Sequence, residues 1–217
     1  MDEFTVSRIF INLLIAAKWT VILSLIAFIG GGIVGAAITL MRISSNKWLR
    51  GISWAYIEFF QGTPLLLQLF LAFFGLSVAF GINLSPLQAA TLALTGFTSA
   101  FLADIWRGSI EALPQGQWEA GSAIGFGYFK QLQLIILPQA VRLSVAPTVG
   151  FLVQVIKGTS LASIIGFTEL SRAATQINNV TLQSLLIFSL AGVIYFLLCY
   201  PLSTWSQHLE RKLSYKT

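Results

Sequence analysis

Few residues in this sequence have the types and spacing that covalent chemistry needs. His208 is the only histidine and Cys199 the only cysteine, and Cys199 lies inside an apolar run. A lone histidine near a helix end reads as structural, and one thiol supplies neither a disulfide framework nor a thiolate metal site. The acids are not clustered, and no G-x-x-x-x-G-K-[ST] phosphate loop occurs. What remains is a set of polar groups embedded in apolar sequence: Asp104 and Lys157, with Thr98, Ser99, Gln154, Thr159 and Ser160 near them. A charge within a membrane span is costly and is either functional or paired. Both uses stay open. Asp104 and Lys157 would line a path for a polar solute, or would pair with neighbours, as Asp104 can with Arg107 three residues on.

The elements that hold these groups are membrane helices. Of the 217 residues, 56% are hydrophobic and 10% charged, against roughly a quarter charged in soluble domains. No charge separates Lys18 from Arg42, Glu58 from Asp104, or Arg172 from Glu210, and each gap accommodates the ~20 apolar residues of a crossing. The runs do not alternate, which excludes a β-barrel reading. The chain is expected to be all-α and polytopic, one permease-like domain over residues 1–217. Five spans are predicted: Leu13–Leu40, Tyr56–Phe80 with Pro64 inside it, Ser85–Arg107, Leu143–Ile165 with Pro147 and Gly158, and Leu182–Gln207. Asp2 and Glu3 and the length of the first run argue against a cleavable signal segment.

Cations fix the expected orientation. Arg42, Lys47, Arg50, Arg107, Lys130, Arg142, Arg211, Lys212 and Lys216 fall on one side, and Arg8, Lys18 and Arg172 on the other. The N-terminus is therefore expected outside and the C-terminus in the cytoplasm. The net charge of +5 sits in short clusters between apolar runs, a distribution suited to a bilayer and not to nucleic acid. Residues 109–142, between the third and fourth spans, are rich in helix formers and punctuated by Pro114 and Pro138. They predict a structured cytoplasmic loop of two short helices, either lying on the membrane or docking a soluble partner.

That loop carries a resemblance. Glu119-Ala120-Gly121, Gly125, Ile135, Leu137 and Pro138 resemble the E-A-A-x3-G-x9-I-x-L-P signature of bacterial ATP-binding-cassette (ABC) importer permeases, departing only at Gly121. The chain is similar, over nearly its whole length, to the permeases of polar amino acid importers of the histidine, glutamine and arginine type. Gly62-Thr63-Pro64-Leu65-Leu66 with Gln68-Leu69-Phe70, Ala103-Asp104-Ile105-Trp106-Arg107-Gly108 and Lys157-Gly158-Thr159-Ser160-Leu161 match that family's span motifs. Gln61, Gly158 and Phe97 depart from it, where relatives carry arginine, aspartate and asparagine.

The resemblance implies a type I importer permease, itself non-catalytic and without a cofactor, that couples to a separate ATPase holding ATP and Mg. It implies a second permease subunit, identical or homologous, an external solute-binding protein, and an amino acid substrate, in the bacterial inner membrane. Trp118, Glu119, Ala120, Gly121, Gly125, Phe126 and Pro138 would form the ATPase docking loop, with Trp118 and Phe126 as apolar anchors. Phe97, Thr98, Ser99, Asp104, Gln154, Lys157, Thr159 and Ser160 would line the path, where a zwitterion's ammonium and carboxylate both need partners. Glu169 and Arg172 are expected outside, meeting the binding protein or solvent. An ATP-independent transporter or channel is the rival reading; it predicts an internal repeat, and none is evident. Gly31 and Gly35 offer a small-residue face for packing within the chain or between subunits.

Overall fold

The computed structural model describes residues 5–214; Asp2, Glu3 and Lys216 lie outside them. The described residues form helices joined by short turns, with no strand among them. Helix α1 spans Val6–Arg42, α2 Lys47–Gly62, α3 Leu65–Phe80, α4 Pro86–Glu111, α5 Gln115–Ala123, α6 Tyr128–Ser163, α7 Leu170–Thr181 and α8 Ser184–Ser214. Four of these, α1, α4, α6 and α8, are long and apolar enough to cross a membrane.

The expected second span is bent. Helices α2 and α3 meet at 103° across Thr63-Pro64, the geometry of a broken span or a re-entrant loop. Thr63 is held extended (φ −113°, ψ 139°), as a residue before proline tends to be. Proline brings no N–H, and the carbonyls freed at the end of α2 find another donor. The Gln68 amide turns back to donate to the carbonyls of Phe60 (2.9 Å) and Thr63 (3.1 Å) and to the Thr63 hydroxyl (3.0 Å). The Gly-Thr-Pro-x-x-x-Gln pattern is thus a self-capping bend.

Proline also explains the start of α6. The loop was expected to hold two short helices, but only α5 is separate; Tyr128 onward is continuous with the next span. Pro138 cannot donate to Leu134, and the preceding turn widens into π geometry over Leu132–Ile136, with Leu137 N–H reaching the Leu132 carbonyl. Helix α4 starts cleanly because Ser85 and Gln88 form a reciprocal capping box with Pro86 at the first turn.

Close packing joins α1 to α4. A Cβ on Gly31 would lie 2.6 Å from Thr98 Cβ, and one on Gly35 3.0 Å from the Ser99 carbonyl oxygen. The glycine face therefore serves contact within the chain. Leu23, Ala27, Leu94, Leu102 and Val155 continue that core between α1, α4 and α6.

Candidate functional site

Three groups of residues could carry function, one at each end of the helices and one between them. At the end shared by α4, α5 and α6, α5 is fastened down by specific bonds. Trp118 is half-buried and stacks on Tyr128, with ring centroids 5.7 Å apart and planes 14° apart. The Tyr128 hydroxyl donates to the Ile43 carbonyl (2.8 Å), tying this unit to the end of α1. Gln131, almost fully buried, donates to the Ser122 hydroxyl (3.0 Å) and the Phe126 carbonyl (2.6 Å). Gln139 donates to the Gln117 side chain at 3.2 Å.

The two signature glycines have separate causes. Gly121 is buried against α6, where a Cβ would come within 2.8 Å of Gln131 Cγ and 3.0 Å of Ile135 Cδ1. Gly125 stands at φ +79° and ends α5: its N–H bonds to Ser122 O (3.0 Å), and Phe126 N–H bonds to Gly121 O (3.0 Å). That is a Schellman cap, which favours glycine because the left-handed conformation crowds a Cβ. Glu119 and Ala120 are exposed and Phe126 is half-buried. Trp118, expected as an outward anchor, is engaged within the chain. The outward apolar side chains here are Ile124, 65% exposed, and Phe129, 82% exposed. Their spacing was visible in the sequence, but not which of the aromatics points out.

The residues expected along a path divide. Thr98, Ser99 and Thr159 are buried between helices. Ser99 bonds to the Gly96 carbonyl (2.8 Å) and the Tyr56 hydroxyl (2.7 Å), and Thr159 bonds to the Ile156 carbonyl (2.7 Å). These three lie between packed helices of this chain. Ser160 is half-buried and donates to the Lys157 carbonyl (2.7 Å).

The others share a surface. Phe97, Phe101 and Asp104 fall at i, i+4 and i+7 on one face of α4, and Pro147, Gln154 and Lys157 fall on one face of α6. Phe151 of α6 joins them, stacking on Phe101 (5.2 Å, 15°) and lying 6.1 Å from Phe97. Gln154 and Lys157 are exposed. Asp104 pairs with Arg107 at 2.6 Å, and Arg107 also holds Glu111. No ion pair joins Asp104 to Lys157. Gly158 faces Leu94, which sets Lys157 roughly ten residues, about 15 Å, from Asp104 along the helix axis. The two charges cannot clasp the adjacent ammonium and carboxylate of one amino acid; they are separate stations flanking a phenyl cluster.

The third group centres on Glu169, expected outside with Arg172 and meeting the binding protein or solvent. Glu169 has no exposed surface, although it precedes α7 outside the long helices. It caps α7 through the Arg172 N–H (2.9 Å) and accepts from the Tyr195 hydroxyl of α8 (2.7 Å) and the Thr20 hydroxyl of α1 (3.3 Å). Ser171 bonds to the same tyrosine at 2.9 Å, and Leu170 N–H to Thr20 at 3.2 Å. Burial pushes the Glu169 carboxyl above the usual carboxylate range, outweighing the hydrogen bonds that favour its charged form. Arg172 turns inward to the Ser163 carbonyl (2.7 Å). Neither residue is a free surface charge. An isolated Glu-Leu pair gave no sign of this, because the bonding partners lie 149 and 26 positions away.

Comparison with known proteins bears on these geometries. Residues 27–215 match the family described as "Binding-protein-dependent transport system inner membrane component". The chain is 40% identical over 196 residues to the L-cystine transport system permease protein TcyB of Bacillus subtilis, covering 90% of this chain and 83% of that protein. It is 35% identical over 194 residues to the probable glutamine ABC transporter permease protein GlnM of the same organism, covering 89% of each. The crystal structure of an amino acid ABC transporter with histidines superposes with a TM-score of 0.88 at 31% identity, covering 93% of this chain and 94% of that one. The inward-facing MetNI methionine transporter shares the fold, with a TM-score of 0.76 at 20% identity over 93% of this chain and 96% of that one.

Proposed function

The chain belongs to the family of binding-protein-dependent transport system inner membrane components, and from that premise we propose that it forms, with a second permease subunit, the translocation path of an importer for polar amino acids. It is a multi-pass membrane permease subunit of the ABC importer class. The amino acid substrate rests on the cystine and glutamine relatives and on the amino acid transporter structure with histidines.

One observation carries the reading. A face bearing Asp104, Gln154 and Lys157 lies within membrane-spanning helices and is left uncovered by the chain's own packing. A charge facing lipid costs several kcal/mol, so this face is covered by a second permease copy or homologue that encloses a wet path. Phe97 narrows the middle of that path and makes it less polar. In this account the N-terminus is outside, and α5 meets a separate ATPase that holds ATP and Mg. Glu119 and the exposed Ile124 and Phe129 would be its contacts, with no nucleotide on this chain. An external binding protein would deliver substrate near α7.

The test is uptake into proteoliposomes containing the co-purified complex. ATP-driven accumulation of a polar amino acid is expected, and Lys157→Gln should reduce it at least tenfold while ATPase recovery is unchanged. Accumulation that proceeds without ATP would defeat the proposal.

A further inference from the structure

Two cavities lie side by side near the end of α1, with Ile110 lining both. One is an apolar groove of about 450 Å³ between α1, α4 and α6, walled by Ala36, Leu40, Val141 and Val145. The other is a cleft of about 570 Å³ in which Arg42 and Arg50 face Trp118 and Tyr128. Leu40 of the groove lies two residues before Arg42 of the cleft. Among the described residues the guanidinium of neither Arg42 nor Arg50 enters an ion pair, the two pairs present both belonging to Arg107. Glu111 is the one acid lining the cleft, and Arg107 holds it. The result is a basic compartment beside an apolar slot between helices long and apolar enough to cross a membrane.

We propose that this compartment binds an anionic phospholipid, with its phosphate between Arg42 and Arg50 and an acyl chain in the groove. Planar guanidinium forks match phosphate oxygens two at a time, and basic pockets beside membrane helices recognise anionic headgroups. The groove decides between a lipid and a soluble acidic partner. Its walls are mostly apolar side chains of three helices long and apolar enough to cross a membrane, the surroundings that an acyl chain takes. The bound headgroup touches Trp118 and Tyr128, the stack that seats α5, so the lipid braces α5 against the α1–α2 turn. The inference is independent of the amino acid reading.

Native mass spectrometry of the detergent-purified complex tests it, after exposure to equal amounts of phosphatidylglycerol and phosphatidylcholine. Retention of phosphatidylglycerol is expected to dominate. Arg42→Gln with Arg50→Gln should lower it on the order of thirtyfold, from about one ionic contact per arginine. Ala36→Trp, which fills the groove and leaves both arginines, should lower it as well, while millimolar inorganic phosphate should not displace the lipid. Equal retention of the two lipids, or retention unaffected by either variant, overturns the proposal. Displacement by phosphate alone marks a soluble-anion site and also overturns it. Loss of the ATPase from the double arginine variant with lipid retention intact assigns the cleft to a protein partner, with the same consequence.

Discussion

Replacing Gly31 by alanine places a methyl group where α1 and α4 nearly touch. The new Cβ lies 2.6 Å from both Cβ and Cγ2 of Thr98 and 3.1 Å from the Ser99 nitrogen, against an ordinary carbon–carbon contact of about 3.5–4.0 Å. Thr98 Cβ and a backbone nitrogen cannot rotate away, so the helices must part by about 1 Å. Overpacking of this kind costs roughly 1–3 kcal/mol. It opposes the gain of about 1 kcal/mol that alanine normally brings to a helix interior. Gly192→Ala supplies that gain alone, since nothing lies within 4 Å of its added Cβ. At about 2–4 °C per kcal/mol for a chain of this length, Gly31→Ala should melt about 2–12 °C below Gly192→Ala, which should melt at or above the parent. Cys199, the only cysteine and buried, gives a built-in assay through its reaction with a maleimide dye as the fold opens. Gly31→Ala melting with Gly192→Ala would refute the close-packed α1–α4 seam.

Further outcomes follow from the same geometry. Glu169→Ala leaves the Tyr195 and Thr20 hydroxyls without their buried acceptor and should cost several kcal/mol, whereas Glu169→Gln should be milder. The raised Glu169 pKa means that the folded chain holds this proton more tightly than the unfolded one. Its contribution to stability is present below pH 4.5, the ordinary value, and is lost as pH rises through the raised value. Melting of the parent should therefore fall relative to Glu169→Gln across that window; parallel curves would contradict the burial. Gly125→Ala should strain the α5 cap by about 1–2 kcal/mol and speed proteolysis over residues 124–127, with Gly125→Asn less affected; equal cleavage would remove the cap argument. Asp104→Asn should abolish uptake while shifting stability by only a few tenths of a kcal/mol, since an i,i+3 pair contributes no more. Full transport would take Asp104 off the path.

The spans were legible because a charge-free run of about 20 residues is a global property that one sequence displays. The signature loop was legible because its spacing is fixed by a cap at Gly125 and a close contact at Gly121, both local demands. The break at Thr63-Pro64 was not placed, because proline is tolerated in membrane helices and the hydropathy runs on through it. Facing was harder still. Thr98, Ser99 and Thr159 read as path-lining hydroxyls, yet all three are buried between helices whose register one sequence does not reveal. Glu169 read as a surface charge for the same reason, its partners being Thr20 and Tyr195 on distant helices. Asp104 and Lys157 both read as path charges, but one sequence does not show that antiparallel packing of α6 on α4 sets them about 15 Å apart.

The central claim is that this permease takes its energy from a separate ATPase docked on α5. Its most direct test is a detergent pull-down of the tagged chain from its native membrane, with mass spectrometry of what accompanies it. Recovery of an ATPase subunit that is lost on Glu119→Arg, while the second permease is retained, is the predicted result. A chain that purifies alone and still moves amino acids across liposomes would contradict it.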